Sequence, residues 1–380
     1  MPSPIAENGS AATHRLGEID GIRGWAALAV LLNHVTHTPF GDLEPWLTLR
    51  GFVGTNGPFA VQLFFILSGD ALSAGFFRRQ DPRMIDRMLI KRYFRLTMPI
   101  LVSCFVIFLL MYFGLTFNQQ AAQAFNNPVL KGYLPQQPNF DDMMIYALAQ
   151  VYTHFNFHTE ASFLNSLPFS YNPVFWTMAV EMTGSLLVFL TLYMIPRVHN
   201  PFGLLVFLSV VFLTLFGTYA GFFVGMLLGY ARHSGKLERW ITSSHWQWAS
   251  GLLLIAFLPL SCWILNSSIP KNMTAPLLIF LLYTNTRSLV FFRNRLSREL
   301  GTLSFPLYAM HFAVMVSLTC WLALLAHQHQ SLTGLVMTGI ILISIITSFL
   351  AAYALRAIET PYLRGLDVMA DLVLGRTKQQ

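Results

Sequence analysis

The chain has 380 residues, of which 54% are hydrophobic and 11% are charged. Soluble domains usually carry about a quarter charged residues, so this composition argues against a soluble fold. The net charge of +7 does not indicate nucleic-acid binding, because the basic residues lie in short segments between apolar blocks and are better explained as topology signals. The three cysteines show no C-x-x-C or C-x-x-H spacing, so neither a disulfide framework nor a thiolate metal site is expected.

Apolar blocks long enough for roughly 20 residues of spanning helix predict an all-α, polytopic membrane protein with about ten transmembrane helices. In chain order the predicted spans are residues 20–38, 58–77, 97–117, 173–195, 200–217, 219–232, 248–266, 273–290, 301–322 and 334–356. Residues 140–157 contain too many polar side chains for a span. They predict an external or re-entrant amphipathic helix instead.

The distribution of basic residues predicts the orientation. With the N-terminus inside, 21 of the 24 Lys and Arg residues fall on the inner side, as the positive-inside rule requires. An eleventh span at residues 140–157 would destroy this asymmetry. We therefore expect a multi-pass protein of the inner (plasma) membrane, without a removable signal peptide and with both termini cytoplasmic. Its predicted parts are a polar tail (1–17), a membrane domain (18–364) with an outer loop (118–172), and a second tail (365–380).

Two ionisable residues of the first predicted span are candidates for function, because a charge inside a membrane costs about 2.5–3.5 kcal/mol on insertion scales. Arg23 and His34 are eleven residues apart, close to three helical turns, so both lie on one face about 16 Å apart along the axis. Alternatively, Arg23 extends to the inner headgroups and His34 is a structural hydrogen-bonding residue between helices.

Glu181 in the fourth predicted span and His34 have similar depths, so these two side chains could meet. A carboxylate beside an imidazole fixes the tautomer and raises the basicity of the ring, which is what a general base for a hydroxyl needs. The alternative is a structural polar pair between two helices.

The inner segment 78–95 carries seven basic residues. Arg92 and Arg95 are three residues apart and so share a helical face. Such a cluster suits a ligand with several phosphates, which arginine side chains can bind in a bidentate manner. Contact with anionic lipids together with topology determination is the alternative.

Six short stretches carry a resemblance to a known family. They are residues 18–34 (EIDGIRGWAALAVLLNH), 61–69 (VQLFFILSG), 91–96 (KRYFRL), 175–181 (FWTMAVE), 303–311 (LSFPLYAMH) and 358–364 (IETPYLR). In this order they resemble the acyltransferase 3 family of membrane acyltransferases, whose hallmark is Arg, ten residues, then His. Two positions depart from the family pattern: Asp70 after Ser68-Gly69, and Met182 after Glu181.

The resemblance implies a ten-helix core that transfers an acyl group, commonly acetyl, from cytoplasmic coenzyme A to a carbohydrate. It implies that His34 is the catalytic histidine and Arg23 its partner in binding the acyl donor, with Arg92 and Arg95 as inner-loop arginines. Glu181 matches the acidic residue after the Trp, and we expect it, or a neighbouring acid, to stabilise the His34 imidazolium during catalysis. Further candidates for lining the cavity are Ser68, Trp176, Tyr308 and His311.

The expected function is that of a membrane-bound O-acyltransferase. Its partners would be an acyl-CoA donor, a carbohydrate acceptor and membrane lipids, without a metal or nucleic acid. The acceptor, the acyl chain, direct transfer as opposed to an acyl-histidine intermediate, and a possible oligomer remain open. A proton-coupled transporter or flippase of lipid-linked glycans is one rival, since an intramembrane Arg, His and Glu also suit proton coupling. A non-catalytic scaffold is another.

Overall fold

The structure is a computed structural model that describes residues 17–40, 43, 51–134, 137–153, 170–267 and 271–375. Throughout these residues the regular secondary structure is helical, with no strand. The ten principal helices are α1 Gly17–Phe40, α2 Gly57–Arg79, α3 Arg83–Tyr112, α4 Pro173–Arg197, α5 Pro201–Leu215, α6 Gly217–His233, α7 Ser244–Ile264, α8 Lys271–Thr284, α9 Arg295–Gln328 and α10 Gly334–Val373. Each of the ten predicted spans overlaps one of these helices, although the span predicted at 273–290 continues past the end of α8.

Six helices in the described part of the chain are long and apolar enough to cross a membrane: α2, α3, α4, α7, α9 and α10. A seventh is reached if α8 and the following helix Thr286–Phe292, which meet at a bend of 94°, count as one broken span. The all-helical membrane class is therefore confirmed. Ten spans and the orientation of the termini stay predictions, because α5 and α6 are short and the outer half of α1 carries polar residues such as Asn33 and His34.

Glycines set the contact between α2 and α6. Gly217, Gly221, Gly225 and Gly229 recur every fourth residue of α6, a spacing that brings small residues onto one helix face. A Cβ atom at Gly225 would lie 1.9 Å from the carbonyl oxygen of Ile66 on α2. The two backbones can approach this closely only without a side chain at that position, and the contact fixes the central part of α2.

A second close contact joins α1 to α9. A Cβ atom at Gly24 would lie 2.4 Å from the backbone nitrogen of Gly301. Both helices run in the same direction from this crossing, and His34 and His311 each lie ten residues beyond it. The crossing therefore brings these two histidines to the same depth.

The polar segment after residue 139 packs along α3. It consists of a helix at Phe140–Ile145, a π-helical turn at Tyr146–Gln150 and a last turn at Val151–Thr153. The Phe140 ring lies 5.8 Å from that of Phe108, and the Tyr152 and Thr97 hydroxyl oxygens are 2.9 Å apart. The segment thus lies beside a spanning helix, and its external or re-entrant position stays a prediction. Residues 154–157, the rest of the predicted amphipathic helix, lie outside the described residues.

The last helix is longer than its predicted span. α10 runs to Val373, well beyond residue 356, and its extension packs against the inner part of α3. Arg87 lies 3.2 Å from Asp367 and 3.1 Å from Asp371, and Lys91 also binds Asp367. These ion pairs fix the inner end of α3, which carries the predicted arginine cluster.

Candidate active site

A cavity of about 710 Å³ lies among α1, α2, α3, α4, α9 and α10. Along α2 its lining extends from Arg78 to Val61, a distance of about 25 Å at 1.5 Å per residue. The outer end of α2 is level with the outer part of α1, since a Cβ atom at Gly57 would lie 2.7 Å from the Asn33 side chain. The deep end of the cavity therefore lies about one helical turn below the level of His34.

The mouth of the cavity is positively charged. Eight basic residues line the cavity against four acidic ones. The basic residues are Arg23, Arg78, Arg87, Lys91, Arg92, Arg95, Arg356 and Arg364, and the acidic ones are Asp20, Glu181, Glu359 and Asp367. A cavity with this excess of positive charge concentrates anionic ligands at its entrance.

The deep end is mostly apolar, with a few hydroxyl groups. Apolar side chains line it: Val61, Phe64, Phe65, Met178, Phe305 and Pro306. The hydroxyl groups belong to Ser68, Ser304, Thr177 and Tyr308. The lining of the cavity therefore changes along its length from a charged mouth to a mostly apolar end suited to an uncharged chain with a few polar groups.

Glu181 is the centre of the hydrogen bonding on the cavity wall. Its carboxylate accepts a hydrogen bond of 2.7 Å from the Ser68 hydroxyl and binds Arg92, so that α2, α3 and α4 are joined at one point. The predicted meeting of Glu181 with His34 is wrong, since Glu181 and His34 share no hydrogen bond among the described residues. The depths of two residues along their helices do not specify which faces of the helices contact each other. In the structure Glu181 faces the basic residue Arg92 of α3.

Tyr308 closes the deep end of the cavity. Its hydroxyl donates to the Val174 carbonyl and lies 2.6 Å from the Thr177 hydroxyl. The ring of His311, which is not part of the cavity lining, lies at a centroid separation of 5.9 Å from that of Tyr308. Tyr308 therefore forms the partition between the cavity and His311.

His34 and His311 form a pair behind this partition. Their ring centroids are 5.0 Å apart, and the ring planes make an angle of 55°. His311 is fully buried, and its Nδ1 lies 3.1 Å from the Leu307 carbonyl oxygen. Neither residue is part of the cavity lining that the described residues define. The two histidines thus lie one ring beyond the deep end.

The structure brings most of the candidate residues together. Arg23, Arg92, Arg95, Ser68, Glu181 and Tyr308 all line the cavity. Two of the residues expected to line it do not: His311 is buried behind Tyr308, and Trp176 is 36% exposed and lies outside the lining. Trp176 precedes Thr177 on α4, and adjacent helical residues point in directions about 100° apart, which places only Thr177 at the cavity.

Sequence reasoning did not assign roles to Arg356, Arg364 and Thr177, which also line the cavity. The role of Arg364 could have been predicted, because Arg364 is the last residue of the family-like stretch 358–364. Arg356 offered no local signal, since it sits at the predicted inner end of a span, where basic residues are ordinary topology signals. Only the length of α10 brings both arginines beside the cavity.

The departure at Asp70 has a structural explanation. Ser68 and Asp70 lie on different faces of α2, and Asp70 turns away from the cavity toward α6 and α8. Its carboxylate is 2.7 Å from Arg232 and accepts a hydrogen bond of 2.6 Å from Tyr283. Arg232 also lies 3.6 Å from Glu18 on α1. Asp70 is therefore part of a buried ionic network behind the cavity wall.

The described residues contain no group of three His, Cys, Asp or Glu side chains that could hold a metal ion.

These features define an integral membrane protein with an internal, positively charged ligand cavity. A model of the acyltransferase 3 family, described as an acyltransferase domain, matches residues 16–356. The chain belongs to this family and is a membrane acyltransferase. No curated protein and no solved structure gives a significant match.

Proposed function

We propose that the protein is an O-acyltransferase of the inner membrane that moves an acetyl group from cytoplasmic acetyl-CoA to a hydroxyl of a cell-surface or secreted glycan. The observation that carries this proposal is the cavity, with its charged mouth at one end and the His34–His311 pair behind the other. Membership in an acyltransferase family supplies the class of reaction.

The shape of the cavity supports acyl-CoA as the donor. Coenzyme A has a phosphorylated nucleotide at one end and a long, uncharged pantetheine arm that ends in the thioester. Arg95 and Arg364 at the mouth are suited to the phosphates, because guanidinium groups bind phosphate oxygens in pairs. The lining between Phe65 and Val61 suits the arm, and the thioester would then lie near Tyr308.

The proposed chemistry is direct transfer with His34 as the general base. His34 takes the proton of the acceptor hydroxyl while the oxygen attacks the thioester carbonyl. The carbon–sulfur bond breaks, and His34 returns the proton to the departing thiolate, so that the products are the acyl ester and free coenzyme A. In this arrangement the donor comes from the inner cavity and the acceptor approaches His34 from the outer side.

Glu181 and Arg92 have a different part in this proposal from the one expected from the sequence. Since the Glu181 carboxylate binds Arg92 and Ser68, it holds the wall of the donor cavity in place and orients the guanidinium. Glu181 thereby contributes to donor binding. The group that lies beside His34 is the imidazole of His311.

Labelled acetyl-CoA tests the proposal. Membranes that contain the wild-type protein are expected to transfer the label to a glycan fraction, and His34→Ala is expected to abolish the transfer at an unchanged protein level. His329→Ala is the matched control, because His329 is an exposed histidine near the outer end of α9. Wild-type transfer by His34→Ala would refute His34 as the base. A transporter, flippase or scaffold would leave the glycan unlabelled in all three membranes.

A further inference from the structure

The pairing of His34 with His311 leaves one nitrogen of each ring without a partner. His34 Nδ1 and His311 Nε2 are both buried, and neither has a hydrogen-bond partner among the described residues. Two unsatisfied buried polar atoms in neighbouring rings are unusual, because buried polar groups are nearly always hydrogen-bonded. The two nitrogens are therefore available to each other as hydrogen-bond partners.

The contact with α9 fixes the tautomer of His311. The Leu307 carbonyl oxygen, 3.1 Å from His311 Nδ1, can only accept a hydrogen bond, so Nδ1 carries the proton. In the neutral ring Nε2 then holds a lone pair and is an acceptor. His311 therefore presents a fixed acceptor on the side of its ring that has no partner.

The separation of the rings allows this acceptor to bind His34. At 5.0 Å between centroids, two ring nitrogens that point at each other lie within the usual hydrogen-bond distance of about 2.7–3.2 Å. A rotation of the His34 ring that directs its Nδ1–H at His311 Nε2 would complete this hydrogen bond. His34 would then carry its proton on Nδ1, which leaves Nε2 with the lone pair that a base requires.

We propose that His311 is a positioning residue that accepts a hydrogen bond from His34 Nδ1, fixes the reactive tautomer of His34 and stabilises its imidazolium during transfer. This inference rests on the proposed function. The acceptor hydroxyl gives its proton to His34 Nε2, and the same proton later leaves with the thiolate, so that His311 gains and loses none. The role resembles that of the residue that orients the histidine in a catalytic triad, with a neutral imidazole in place of a carboxylate.

Two variants of His311 test the inference by kinetics. His311→Leu removes the hydrogen-bond acceptor of His34 and is expected to lower kcat at least about tenfold. This factor is a part of the rate enhancement that general acid–base catalysis provides. The KM for acetyl-CoA should stay unchanged, because His311 is not part of the donor cavity. His311→Gln keeps an acceptor oxygen and is expected to retain more of kcat than His311→Leu. His327→Leu, an exposed site on the same helix, is the control.

A measurement on the wild-type protein gives an independent test. Solid-state NMR with ¹⁵N-labelled histidine, with His34 assigned by its loss in His34→Gln, is expected to show His34 protonated at Nδ1 and unprotonated at Nε2. If His311→Leu does not bind acetyl-CoA, the variant has not folded. The NMR measurement on the wild-type protein then decides the inference.

Three results would overturn the inference: wild-type kcat in His311→Leu, equal losses in the Gln and Leu variants, or a His34 ring protonated at Nε2. Failure of the wild-type protein to transfer label would instead refute the proposed function, and the NMR result would still decide the pairing of the two rings.

Discussion

Arg92 on α3 binds the carboxylate of Glu181 on α4, and the two side chains are only 11% and 10% exposed. The pair joins two helices on the wall of the cavity, at a depth where an isolated charge is costly. Ser68 on α2 donates to the same carboxylate. One buried carboxylate thus determines the relative positions of three helices that surround the proposed donor site.

The first prediction concerns the energetic coupling of this pair. Glu181→Ala leaves the Arg92 guanidinium buried without its counterion, and we expect a loss of about 3 kcal/mol in stability. The double variant Arg92→Ala/Glu181→Ala should be more stable than Glu181→Ala alone, because no charge is left uncompensated. Thermal unfolding of the four proteins in one detergent measures the cycle. Additive losses would show that the ion pair is not coupled.

The second prediction concerns the mouth of the cavity. Arg95→Ala should raise the KM for acetyl-CoA about ten- to a hundredfold, the equivalent of one hydrogen bond between charged groups. Its kcat should stay the same, because the phosphates are distant from the reacting thioester and are bound equally in the ground and transition states.

Arg79→Ala is the matched control for Arg95→Ala. Arg79 belongs to the same basic segment, but it is exposed and lies outside the cavity lining. Its KM should remain at the wild-type value. If both variants changed KM equally, the segment would act through its general charge, as the lipid and topology alternative predicts.

The positions of the helices along the chain could be predicted from the sequence, whereas the rotation of each helix about its own axis could not. Apolar length and the run of charges located all ten principal helices, because a membrane leaves few other solutions for the backbone. The partner of Glu181 depended on the rotation of α3 and α4 about their axes, and the hydrophobic pattern of a nearly uniformly apolar helix does not specify that rotation. Arg23, Arg92 and Arg95 could be placed near one ligand from the sequence. The pairing of His34 with His311 could not be predicted, because it also depends on the rotation of the helices about their axes.

The third prediction concerns the buried network behind the cavity. Asp70→Asn keeps an acceptor for Tyr283 but removes the nearer of the two carboxylates that compensate Arg232, the other being Glu18 at 3.6 Å. We expect a loss of about 3 kcal/mol in stability, measured as a lower unfolding temperature in detergent. Asp141→Asn is the control, since Asp141 is exposed and should unfold as the wild type does. Equal unfolding temperatures for the two variants would mean that Asp70 contributes no net stabilisation.

The fourth prediction tests the close approach of α2 and α6. A Cβ atom at Gly225 would lie 1.9 Å from the Ile66 carbonyl oxygen, whereas one at Gly339 on α10 would meet no atom within 4 Å. Gly225→Ala should therefore force the two helices apart, displace Ser68 from Glu181 and lower both the unfolding temperature and the affinity for acetyl-CoA. Gly339→Ala should leave both unchanged or stabilise the protein by about 0.5–1 kcal/mol, since alanine favours a helix interior more than glycine does. The two variants add the same methyl group, so the difference between them isolates the helix contact. A Gly225→Ala protein that unfolds and binds acetyl-CoA like Gly339→Ala would show that the two helices do not need this contact to form the donor cavity.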